Sequence, residues 1–115
     1  MITDKGKALI AQYIVSNFTK ANVGSGGNNT SPSQLELDVP LLSTTTTVTP
    51  FKSDENVVDF KFTILGSAAD ITGRVLREVS IENSSGDLLL RIPFEAIGPF
   101  SSSEEIEFFI AVEVD

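Results

Sequence analysis

From Ile106 to Val114 the chain alternates without a break. Ile106, Phe108, Ile110, Val112 and Val114 fall on one side, and Glu107, Phe109, Ala111 and Glu113 on the other. Successive side chains of an extended strand point to opposite faces, so this run predicts a strand with one buried face. Val58, Phe60, Phe62 and Ile64, interleaved with Asp59, Lys61 and Thr63, predict a second strand of the same kind. Val75 to Glu82 reads as a third, with Val79 and Ile81 inward, and Leu88, Leu90, Ile92 and Phe94 as a fourth. Asn83-Ser84-Ser85-Gly86-Asp87 joins these two, with glycine where a hairpin turn needs a left-handed residue. Ser43 to Thr49 is β-prone but polar, the signature of an exposed edge strand, and Pro50 stops it.

Ahead of the strands, Gly6, Leu9, Ile10, Tyr13 and Ile14 recur at spacings of three and four, which predicts an amphipathic helix over about 4–17 with those residues on one face. Thr3 is suited to the N-cap, and Asp4 complements the dipole of the first turn. Phe18 to Val23 is a short segment that could form a strand. Gly24 to Ser33 follows, rich in glycine, asparagine and serine, and reads as a loop. Leu35, Leu37, Val39 and Leu41 then alternate through an arm that Pro40 limits to an edge position.

One helix followed by antiparallel strands predicts a mainly β single domain spanning 1–115. The helix at about 4–17 and the loop and arm at about 24–42 precede an antiparallel β-sandwich at about 43–115, with the helix covering one end or open face. At 115 residues, 41% of them apolar, the chain suffices for one core.

Composition narrows the chemistry. Without histidine or cysteine the chain lacks the parts of a Ser-His-Asp triad, a Cys-His dyad, a disulfide or the usual zinc site. The five lysines Lys5, Lys7, Lys20, Lys52 and Lys61 occupy positions that read as surface. Gly24-Ser25-Gly26 lacks the lysine of a phosphate-binding loop and the third glycine of a dinucleotide fingerprint. Neither Asp54-Glu55 nor the Glu104, Glu105, Glu107 group has the spacing of a calcium loop. The asparagines at 17, 28, 29 and 83 match the glycosylation acceptor pattern, but no secretory signal accompanies them. The expectation is therefore no enzyme activity, no cofactor and no metal. Sixteen acidic against eight basic residues leave a net charge of −8, which repels nucleic acid and anionic membranes, and no apolar stretch is long enough to span a bilayer.

Ile2 to Ala11, Ala21 to Gly26 with Ser31 to Leu37, and Arg77 to Asn83 with Gly86 to Phe94 together resemble a family of bacteriophage tail-fibre N-terminal and small virion structural proteins. Ile2-Thr3-Asp4-Lys5-Gly6-Lys7-Ala8-Leu9-Ile10-Ala11 is similar to the family's "I-T-x-x-G-x-x-x-I-A" opening. Ala21-Asn22-Val23-Gly24-Ser25-Gly26, with Ser31 to Leu37, resembles its "A-V-G-x-G" turn and "T-x-L-x-x-E" arm. Arg77-Glu78-Val79-Ser80-Ile81-Glu82-Asn83, then Gly86 to Phe94, resembles its "R-E-x-G-L-F-D-x-x-G-x-L-x-A-R-x-x-F" hairpin. Ser80 stands where the family has glycine, and Leu37-Asp38-Val39-Pro40 departs from its charged arm. The resemblance implies a virion component made in the host cytoplasm, at the tail, baseplate or fibre attachment, or as capsid cement. Its partners would be other virion proteins and further copies of itself, a trimer among the options. With the sequence ending at Asp115, immediately after the last expected strand, neither a fibre shaft nor a receptor-binding tip is expected.

Loop and arm have few means of packing alone, so the contacts between subunits are expected at Gly24, Gly26, Gly27 and Pro32 of the loop and at Leu35, Leu37, Val39 and Leu41 of the arm. Phe100 in a serine-rich loop and Phe109 on the outer side of the last strand complete the set, although the helix is an equal candidate to cover Phe109. On this reading, deleting Gly26 to Ser31 leaves the fold intact and weakens assembly. Arg91, across the hairpin, is expected to pair with Glu78 or Glu82. A carbohydrate-binding module is a distant alternative, because the chain has no tryptophan and a single tyrosine for a stacking platform.

Overall fold

The longest alternating run forms the longest uninterrupted ladder. In a computed structural model that describes residues 1–115, the run becomes strand β7 (Glu105–Glu113), paired antiparallel with β4 (Val57–Leu65) from Val57↔Glu113 to Leu65↔Glu105 without a register shift. Adding β3 (Phe51–Asp54) completes a three-stranded sheet in the order β3-β4-β7. The second sheet contains β1 (Lys20–Gly24), β2 (Thr46–Thr47), β5 (Leu76–Glu82) and β6 (Leu88–Ile97), in the order β2-β1-β5-β6. All named pairs are antiparallel. The molecule is a mainly β structure of two sheets with one N-terminal helix, α1 (Asp4–Asn17), as the sequence predicts.

One apolar cluster lies between the sheets. Val58, Phe60, Phe62 and Ile64 from β4 meet Ala21, Val23, Val79 and Ile81 from β1 and β5. At the β6–β7 side, Phe62 stacks on its cross-strand partner Phe108 at 5.2 Å, and Phe94 of β6 reaches the same ring at 5.9 Å, so aromatic contacts tie the two sheets together. Ile71 and Phe100 close one end of the core from loops. Gly73 N–H donates to the Phe100 carbonyl at 2.7 Å and Phe100 N–H to the Arg74 carbonyl at 3.2 Å, holding that phenylalanine inside.

Several sequence expectations hold. Thr3 caps α1, its side chain accepting from Gly6 N–H at 3.0 Å. Gly86 takes φ +85° in the β5–β6 turn, where Asn83 Oδ1 accepts from the N–H groups of Ser85 and Asp87. Two expectations need correction. The first is the Ser43–Thr49 edge strand, which contracts to Thr46–Thr47, whereas the possible strand before the glycine loop does form, as β1 in the middle of its sheet. With five residues and only Ala21 and Val23 facing the core, β1 is too short for periodicity to reveal.

The second correction concerns the face of α1. Ala11 and Ile14 enter the core with Val15 and Phe18 beside them, and the helix lies against β3 and β4. Leu9, Ile10 and Tyr13, grouped with Ile14 by spacing, point to solvent instead. Spacing alone ranks apolar stripes by residue size, whereas the close approach of helix to sheet selects the stripe centred on the small Ala11.

Because Phe60 is fully buried, Phe60→Ala should cost about 3–5 kcal/mol in denaturant unfolding. Phe109→Ser, at a side chain 61% exposed, should stay within about 0.5 kcal/mol.

Candidate functional site

The outer face of the β2-β1-β5-β6 sheet carries polar residues in register. Asn22, Ser80 and Arg91 form one cross-strand row, and Gly24, Glu78 and Pro93 the next. Glu78 and Arg91 are therefore diagonal neighbours, within reach of long side chains. Residues 25–42 cross over this face as a strap and remove Asn22, Glu78, Ser80 and Arg91 from water, while Pro93 at the edge stays exposed. The Glu78 side chain is 0% exposed and that of Arg91 2%.

Burying a carboxylate is tolerable only if its oxygens are fully hydrogen-bonded. Glu78 Oε1 accepts from Arg91 Nε (2.8 Å) and Asp38 N–H (2.9 Å), and Oε2 accepts from Gly26 N–H (2.8 Å) and Val39 N–H (2.9 Å). The guanidinium spends its remaining donors on the strap as well, at the Asn28 carbonyl (2.9 Å) and Asp38 Oδ2 (3.3 Å), with the Gly26 carbonyl at 3.5 Å. No buried side-chain nitrogen or oxygen lacks a partner. Burial pushes the Glu78 carboxyl up. The Val39 N–H, the Arg91 guanidinium and the N–H groups of Asp38 and Gly26 outweigh it, holding the carboxyl below its ordinary 4.5.

The strap is also fixed along its length. Ser25 N–H donates to the Val39 carbonyl (3.0 Å) and Leu41 N–H to the Val23 carbonyl (2.9 Å), giving a bridge between Gly24 and Pro40. Asn22 binds both backbone groups of Leu42 through its side-chain amide. Leu37 is the strap's own buried side chain, and Leu41 and Leu42 pack on the main core. The two glycines serve close approach: a Cβ on Gly24 would collide with Glu78 Oε2 and the Val39 carbonyl, and one on Gly26 with Asp38 Cβ. On Gly27 a Cβ would meet only Arg77 Cδ, at an ordinary 3.5 Å.

This geometry corrects the expected contact set. Gly24, Gly26, Leu37 and Phe100 are buried within the chain and present nothing to a neighbour. Gly27, Pro32, Leu35, Val39 and Phe109 remain exposed, and Leu41 is half-buried. Phe109 is not covered by α1. It lies on the outer face of the other sheet opposite Lys61, which forms an exposed ion pair with Glu107 at 3.6 Å. The expectation that Gly26 to Ser31 is dispensable for folding also falls, since removing it takes away the Gly26 N–H and the Asn28 carbonyl that serve Glu78 and Arg91.

Sequence reasoning anticipated that Arg91 would pair with Glu78 or Glu82; the structure selects Glu78, and buries the pair. The available signal is a charged residue at an outer-face position of each hairpin strand, together with a Gly-x-Gly whose glycines share one side of an extended chain. The cluster is closed and saturated, so its work is to hold the strap. Beside it, a cleft of about 210 Å³ runs between Thr30–Gln34 and Leu88–Arg91, lined by no aromatic side chain. No protein-family model matches the chain, and no curated protein matches it.

Arg91→Met should cost about 3–5 kcal/mol, because it strands a buried carboxylate, whereas Glu78→Leu with Arg91→Met should cost less than the sum of the single changes. Gly26→Ala should destabilise by about 1–3 kcal/mol through overpacking, and Gly27→Ala should be near neutral in the same unfolding assay. A carboxyl whose folded pKa lies below its unfolded one stabilises fully above the unfolded value and loses that contribution as pH falls through the folded one. The stability gap between wild type and Glu78→Gln should thus be widest near neutral pH and narrow below 4.5. Parallel pH profiles would refute this assignment.

Proposed function

We propose that this protein is a structural component of a tailed-virus particle, at the tail, baseplate or fibre attachment, and that it acts through protein–protein assembly without covalent chemistry. One observation supports the reading above the others. The Gly24-Ser25-Gly26 turn and the Arg77-Glu78 hairpin with Arg91, two stretches that resemble the virion family separately, meet in space around a single buried carboxylate, and the arm closes on it through Asp38-Val39, where the chain departs from the family. Unrelated chance matches would have no reason to converge. The motif residues behave as one structural unit, which is what a shared fold would require of them.

A capsid cement protein would draw on the same unit and is the second reading. The carbohydrate-binding alternative gains nothing from the cleft beside the strap, which offers no aromatic platform.

Localising the chain by microscopy in purified particles produced from a genome that encodes it tests the proposal. Density at the tail is expected. Density confined to the shell would favour the cement reading, and particles that lack the chain altogether would overturn both.

A further inference from the structure

Helix α1 is apolar on two opposite sides. Ala11, Ile14 and Val15 face the sandwich. About half a turn from Ala11 lie Leu9 and Tyr13, exposed by 58% and 63%, Ile10 at 40% borders them on the flank next to Ile14, and Ile2 extends the stripe with its Cγ2 beside Gly6. A helix that is apolar on both sides belongs between two bodies. In the monomer only one body is present.

We propose that the second body is another copy of this chain, met helix against helix in a twofold antiparallel contact across the Leu9–Tyr13 stripe. Charge selects both surface and partner. Two copies that each carry −8 repel wherever their acids face one another. Phe109 shares its strand face with Glu105, Glu107 and Glu113, and Leu35 is followed by Glu36 and Asp38, so self-contact there would oppose carboxylates. In α1 the sole acid is Asp4, seven residues from Ala11 and hence on the inner side, whereas the outer stripe is flanked by Lys5, Gln12 and Ser16. The last turn of α1 holds no basic residue. Antiparallel packing brings Lys5 of one copy towards that uncompensated C-terminal end of the other, where a cation is favourable. The contact is isologous, so each copy supplies both halves.

The inference is read in the purified chain and stands apart from the virion proposal. Sedimentation of the full chain from micromolar to near-millimolar concentration should show a rise from 12.3 kDa to twice that mass. Leu9→Glu, at a side chain exposed in the monomer, should weaken the dimer roughly thirtyfold while leaving the circular dichroism melt unchanged, and Phe109→Ser should leave the dimer intact. Because the chain has no cysteine, a Leu9→Cys variant should cross-link to itself under mild oxidation and a Thr63→Cys variant should not. Four results would overturn the proposal: a trimeric mass, a dimer indifferent to Leu9→Glu, cross-linking at Thr63→Cys alone, or a wild-type chain that stays monomeric. The last holds even if that monomer binds anionic vesicles or another virion protein through the same stripe.

Discussion

The Glu78 carboxylate, closed off from water, is the constraint around which one half of the molecule is arranged. An ion in that position needs its lone pairs filled, and Arg91 fills only one of the four sites used. The others are filled by the N–H groups of Gly26, Asp38 and Val39, which lie on both limbs of a long excursion between β1 and β2. A segment with little apolar content is thereby held in one path. Its position follows from electrostatic saturation, with Leu37 as its buried apolar anchor. Ion pairs of this kind add little net stability compared with a well-packed apolar substitute. Their physical effect here is to specify which conformation the strap adopts.

The strap makes the two sheets unlike. One has the centre of its outer face covered by residues 25–42, and the other leaves Phe51, Leu65 and Phe109 in solvent among carboxylates. Unpaired edges at β6 and β7 lie on the same side of the sandwich, joined through Phe94 and Phe108. Pro93 interrupts the donors of β6, and Glu105, Glu107 and Glu113 place charge along β7, both recognised means of discouraging unintended strand pairing. With these two edges protected in this way, the acid-poor outer side of α1 is the surface on which the proposed contact with a second copy rests.

Much of the architecture was legible from periodicity. β4, β5, β6 and β7 were readable because each has alternating residues over enough length to distinguish inside from outside, and the β5–β6 turn because Gly86 sits where a left-handed residue is required. β1 was barely legible, since five residues with two inward side chains carry almost no periodic signal. The buried clamp was only half legible. The hairpin brings Arg91 within reach of Glu78 or Glu82, but the choice of Glu78 and its removal from solvent depend on a loop some fifty residues earlier in the chain, of which the Gly-x-Gly at Gly24 and Gly26 is the one local trace.

The sequence by itself determined the strand alternation, the extent of the helix, the absence of histidine and cysteine chemistry, and the strong negative charge, because each is a property of neighbouring residues or of composition. Tertiary structure alone decided which side of α1 turns inward and which exposed apolar residues remain available. It also decided that Gly24 and Gly26 are spacers for a carboxylate and not flexible contact points. Those outcomes depend on how closely distant segments approach, and close approach is set by packing and by the need to saturate buried charge, neither of which is a local quantity.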